Sequence, residues 1–69
     1  MEFAERFSQV VKDRGISQAE LSRRLEVPYS SFRYKSNKLS AWNVVEFNRL
    51  IKVLNLTDEE VDFLTAEVN

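Results

Sequence analysis

Apolar residues along this chain fall at helical rather than strand-like intervals. From Glu2 to Asp13, Phe3, Phe7, Val10 and Val11 recur three and four apart, which predicts an amphipathic helix with one apolar stripe. Gly15 should end it, because glycine enters the left-handed C-terminal conformation without a steric penalty. "SQAE" then sets Ser17 at an N-cap with Glu20 three residues on, the spacing at which each side chain can accept from the other's free backbone N–H. The second helix so begun runs to about Leu25, with Leu21 and Leu25 four apart and Ala19 and Ser22 small enough for a neighbour to approach. "EVP" interrupts it: Pro28 lacks a backbone donor and disfavours helical geometry at Val27, yet suits the first turn of a further helix.

From Tyr29 to about Ser36 the one large apolar residue predicted to face inward is Phe32, and so short a helix needs tertiary packing to exist. "SNKLS" connects, with Ser40 as the next predicted cap, to a fourth helix over roughly 41–54. That helix carries Val44, Phe47, Leu50, Ile51 and Leu54 on one face and leaves Trp42 and Val45 off it, as core filler or as part of a partner surface. "TDEE" repeats the capping spacing with Thr57 and Glu60, Asp58 and Glu59 oppose the positive end of the helix dipole, and Val61 and Leu64 anchor a fifth helix. No strand-like alternation, repeat or low-complexity stretch occurs, so the expected fold is all-α, a compact bundle of five short helices.

Composition narrows the chemistry. A chain of 69 residues can close one modest core, so a single domain over 1–69 is expected. It has neither Cys nor His, which excludes a disulfide scaffold, a zinc finger and a histidine-dependent enzyme. Asp58, Glu59, Glu60 and Asp62 lack the loop and glycine spacing of an EF-hand, so no metal is expected, and no cofactor. So small a core leaves no cleft in which paired carboxylates could act, so neither an enzyme nor a small-molecule substrate is expected. "MEFAERF" is unlike a secretory signal and no stretch approaches the roughly 20 apolar residues of a membrane span, so a cytoplasmic protein with no membrane partner is the expectation.

The formal net charge is −1, but it is polarised. Between residues 14 and 38, Arg14, Arg23, Arg24, Arg33, Lys35 and Lys38 stand against Glu20 and Glu26, a net +4 that leaves −5 for the remainder. A basic segment in an acidic chain can meet phosphate locally while the rest holds non-specific affinity down.

"RFSQVVKDRGISQAELSRRLEVPYSSF" resembles the first three helices of the lambda-type Cro and C1 repressors, and "FNRLIKVLNLT" resembles their fourth helix running into the fifth. The resemblance covers nearly all of the chain. It implies a lambda-repressor-like domain with a helix-turn-helix over about 17–36, whose second helix enters the major groove. Carried over by position, Gln18 falls where the family contacts phosphate, Tyr29, Ser30 and Arg33 on recognition positions, and Asn37 and Lys38 on a phosphate-gripping loop; Leu21, Leu25, Val27 and Phe32 match packing positions. Two positions depart from the pattern. Glu26 stands where the family has a left-handed glycine, at a cost of order 1 kcal/mol, and Lys35 where it has an apolar residue, which predicts a third helix that is shorter or set differently.

Arg33 can fork onto guanine O6 and N7, Ser30 can bond a base edge or a phosphate, and Tyr29 can meet a thymine methyl or a phosphate. Lys35, Lys38 and Arg14 or Arg24 would add sequence-independent attraction. Two functions follow as expectations. One is a sequence-specific DNA-binding regulator of a phage or prophage, bound as a homodimer to double-stranded operator DNA and pairing through the fifth helix or the Trp42 region. The other is an antirepressor on the same scaffold, which docks onto a partner repressor protein and blocks its DNA binding in a lysis/lysogeny switch.

Overall fold

The structure, a computed structural model, describes residues 2–66. It is all-helical: α1 (Phe3–Asp13), α2 (Gln18–Arg24), α3 (Tyr29–Ser36), a single 3₁₀ turn (Leu39–Ala41), α4 (Val44–Leu54) and α5 (Asp58–Thr65). The all-α bundle of short helices expected from periodicity is what forms. Among the described residues no helix is long and apolar enough to cross a membrane.

The core is built around Phe7. Its ring lies 5.6 Å from Phe3, 5.9 Å from Phe32 and 5.8 Å from Trp42, centroid to centroid, so one residue of α1 joins α3 and the segment before α4. Val10, Val11, Leu21, Leu25, Leu50, Leu54 and Leu64 complete the buried cluster, with Val27 and Phe47 partly buried against it. Phe32 is fully buried, as α3 requires, since eight residues cannot hold helical structure alone.

Helix ends follow local chemistry with three corrections. Gly15 has φ +66° and its N–H donates to Lys12 O at 3.0 Å, closing α1 in the left-handed conformation. Ser17 Oγ accepts from the Glu20 N–H at 3.1 Å, but Glu20 does not complete the reciprocal bond. Its carboxylate takes Arg23 and Arg24 instead, because charged donors one turn on outbid a neutral amide. Ala19 is exposed and only Ser22 of that pair is buried. The largest correction concerns α4, which starts at Val44 rather than near residue 41. Its cap is Asn43, which exchanges bonds with Glu46 at 2.7 and 3.1 Å, and not Ser40. Trp42 is held extended (φ −88°, ψ 131°) because its ring fills the core and its indole N–H donates to Lys35 O at 2.8 Å. Val44, predicted inward, therefore falls in the exposed first turn. Thr57 and Glu60 form the predicted reciprocal cap at α5.

The turn between α2 and α3 takes the conformation that glycine would favour. Glu26 has φ +58°, and the Glu26 and Val27 N–H groups donate to Arg23 O and Ser22 O at 3.0 and 3.1 Å, the paired bonds of a left-handed helix terminus. A side chain there costs about 1–2 kcal/mol, partly offset by the lower chain entropy it brings to the unfolded state. Glu26→Gly is therefore expected to raise stability by ~0.5–1 kcal/mol, read as a higher urea midpoint at unchanged m-value.

Arg14 clamps the far side of the bundle. Its guanidinium donates to Glu60 Oε1 and Oε2 at 2.5 and 2.8 Å, to Leu54 O at 2.7 Å and to Asn55 O at 3.2 Å. The bond from Arg14 holds the Glu60 carboxyl at about 2, with the Thr57 backbone N–H adding to the effect. A carboxyl depressed on folding stabilises above its unfolded value and loses that contribution as the pH falls through its folded one. Glu60→Gln keeps the cap and removes the charge, so its stability deficit against wild type, measured by urea unfolding at a series of pH values, should be full near neutrality. It should shrink between about pH 4.5 and pH 2.

Candidate nucleic-acid interface

The residues singled out from sequence divide into those that α3 presents outward and those the fold engages elsewhere. An α-helix turns about 100° per residue, so with Phe32 pointing inward Ser30 and Tyr34 lie nearly opposite it, flanked by Tyr29, Arg33 and Asn37. All five are exposed, Tyr29 at 46% and Tyr34 at 60%. Pro28 sits at the N-cap (φ −55°, ψ 142°) and supplies no side-chain cap.

Tyr29 and Arg33 act as a pair. The Arg33 guanidinium lies 6.0 Å from the Tyr29 ring centroid, while that ring stacks at 6.4 Å on Phe32, so the cation is braced against a ring that is itself braced on the core. Asn37 Nδ2 donates to Arg33 O at 2.9 Å, which ties down the end of α3. Lys38 is exposed, one residue beyond Asn37. Gln18 is half-buried at the first position of α2, apart from these residues along the chain.

Lys35 is placed differently. Its Nζ donates to Ala41 O at 2.9 Å and Glu46 Oε1 at 3.0 Å, its side chain is 16% exposed, and its own carbonyl receives the Trp42 indole. It staples α3 to the 3₁₀ turn and to the cap of α4. Lys35 and the Asn43 N–H together hold the Glu46 carboxyl below the usual carboxylate range.

Ion pairing also trims the basic segment. Arg14 is taken by Glu60, Arg23 and Arg24 by Glu20, and Lys35 by Glu46. Among the described residues, Arg33 and Lys38 are the cations of segment 14–38 with no carboxylate in ion-pair range. Arg23 and Arg24 still expose 74% and 56% of their side chains, and surface pairs are worth about 0–1 kcal/mol, so a phosphate could compete for them.

Tyr34 was not among the residues expected from sequence. The signal was present: with Phe32 fixed inward, position 34 is 200° round the helix and four residues from both Ser30 and Lys38. Among the described residues no three side chains of the His, Cys, Asp or Glu type gather to hold a metal.

Compared with known proteins, the chain matches no family model, no curated protein and no solved structure.

Lys35→Met should keep the packing of the stem but leave Ala41 O without its side-chain donor and Glu46 with the Asn43 N–H alone, lowering stability by ~1–2 kcal/mol in urea unfolding. Trp42 is the one tryptophan, so its emission should move to longer wavelength in this variant as the α3–α4 junction loosens; an unchanged spectrum and stability would remove Lys35 from that role.

Proposed function

We propose that this chain is a transcription regulator of the Cro/C1 type, phage- or prophage-encoded and acting in the cytoplasm, whose α2–turn–α3 unit is a helix-turn-helix that reads double-stranded operator DNA. The observation that carries the reading is the outward face of α3, where Ser30, Arg33, Tyr34 and Asn37 stand exposed beside the Tyr29–Arg33 pair. In this reading Arg33 forks onto a guanine, Tyr29 and Tyr34 meet thymine methyls or the sugar–phosphate edge, and Lys38 and Gln18 contact phosphate. Arg14 and Lys35 take no part, since their donors are engaged within the protein. A single half-site gives little discrimination, so binding as a homodimer is expected.

One observation favours a second reading. Four of the six cations of the basic segment are internally paired, which lowers the attraction for a phosphate backbone and suits an antirepressor that docks the same α3 face onto a partner repressor protein.

The test is selection of the purified chain against a random duplex library, then salt titration on the selected sites, with a purified repressor added in a parallel series. Arg33→Ala should weaken binding by about 1–3 kcal/mol and relax one base position, whereas Lys38→Ala should weaken all sequences alike and lower the salt slope by about 1. Equal losses on every sequence for Arg33→Ala would contradict base reading. No selected site, together with loss of the repressor's own DNA binding, would establish the antirepressor.

A further inference from the structure

We propose that the outward face of α4 is a docking site for an acidic helix of a partner protein, one that brings its own apolar anchor residues. Val44 and Val45, the first two residues of α4, are 76% and 66% exposed, an apolar pair set side by side in water. A shallow depression flanks each. One, of about 270 Å³, is walled by Leu39, Trp42, Phe47 and Thr65 beside Val44; the other, of about 260 Å³, is lined by Val45, Asn48, Arg49 and Lys52. The arrangement is an exposed apolar pair between two shallow depressions, one walled mainly by apolar side chains and one bordered by cations, a form that suits an amphipathic helix.

Charge selects the occupant. Arg49 and Lys52 border the face and neither has a carboxylate in ion-pair range among the described residues; Glu46 of α4 is bonded to Lys35 and feels Arg49 only at longer range. One Arg49 N–H is given to Leu25 O, and its other donors remain for a ligand. The positive dipole end of α4 lies under the valines and adds to the preference for an anion. A nucleic acid would satisfy Arg49 and Lys52 but offer the valines nothing comparable. A second copy fits less well. Its acidic α5 exposes Asp58, Glu59 and Asp62, while Val61, Phe63 and Leu64 are partly or wholly buried, so it offers no exposed anchor to the valines. Pairing α4 with α4 would bring two positive helix ends and two sets of cations together. An acidic helix bearing leucine-like anchors satisfies both the valines and the cations. This holds whether or not α3 meets DNA.

The probe is a designed helical peptide of about 16 residues, rich in Glu and carrying two leucines four apart, titrated into the isotope-labelled full chain and followed by NMR. Saturable shifts centred on Val44, Val45, Asn48 and Lys52 are expected. They should be several-fold weaker with Lys in place of Glu, or with Ser in place of Leu. Val45→Asp should abolish them without loss of helical circular dichroism, since the side chain is exposed, and Lys52→Glu should shift preference toward the Lys peptide. Absence of shifts, equal response to both charges, or shifts centred elsewhere would overturn the proposal. So would concentration-dependent self-association in sedimentation that Val45→Asp removes, since a second copy would then be the occupant.

Discussion

Short helices end in carbonyls with no donor of their own, and this bundle depends on donors from other elements reaching those ends. Arg49 of α4 donates to Leu25 O at the end of α2, and the Trp42 indole to Lys35 O near the end of α3. Arg14, just past α1, donates to Leu54 O and Asn55 O at the end of α4, and Arg6 of α1 reaches Phe63 O near the end of α5 at 3.4 Å. Three of these donors are guanidinium groups, which suit the negative end of a helix dipole. Each bond joins two elements that chain connectivity alone would leave free to slide, so the helix ends and the tertiary arrangement are fixed together.

That economy of cations shapes the surface. Arg14 and Lys35 hold elements of the scaffold to one another, while Arg23 and Arg24 turn to Glu20 on their own helix. The net +4 of residues 14–38 therefore overstates the charge available to a ligand. What remains on and just beyond α3, among the described residues, is two unpaired cations, Arg33 and Lys38, and two exposed tyrosines, one of them bracing Arg33 against the core. Such a surface offers shape and placed donors more than bulk charge. The face of α4 differs, being apolar at its start and basic along its border.

Much of the fold was legible because its signals are local. Phe3, Phe7, Val10 and Val11 sit at helical spacing, and Gly15, Thr57 and Glu60 end or start helices through bonds between near neighbours. Glu26 was expected to be left-handed only through the resemblance, which sets a glycine at that position, and its φ of +58° agrees. Misreadings arose where two local signals competed. Ser40 was the cap expected from sequence, and the burial of Trp42 moved the start to Asn43, since an indole packed on Phe7 and bonded to Lys35 O cannot also lie within a helix starting at residue 41. Glu20 offered itself both to an amide and to two arginines, and the charged pair prevailed.

By itself the amino-acid sequence determined the all-helical class, the order and approximate extent of the helices, and most of the core, because periodicity and capping act over three or four residues. It also determined that α3 would turn Tyr29, Ser30 and Arg33 outward, since Phe32 had to face in. Only the tertiary structure decided which charges are free. Arg14 meets Glu60 across 46 positions and Arg49 meets Leu25 across 24, and no spacing rule reaches that far. The same holds for Lys35, whose pairing with Glu46 depends on where the 3₁₀ turn lets α4 begin. Which cations serve the scaffold and which stay unpaired is a matter of three-dimensional proximity, and it is settled when the core closes around Phe7.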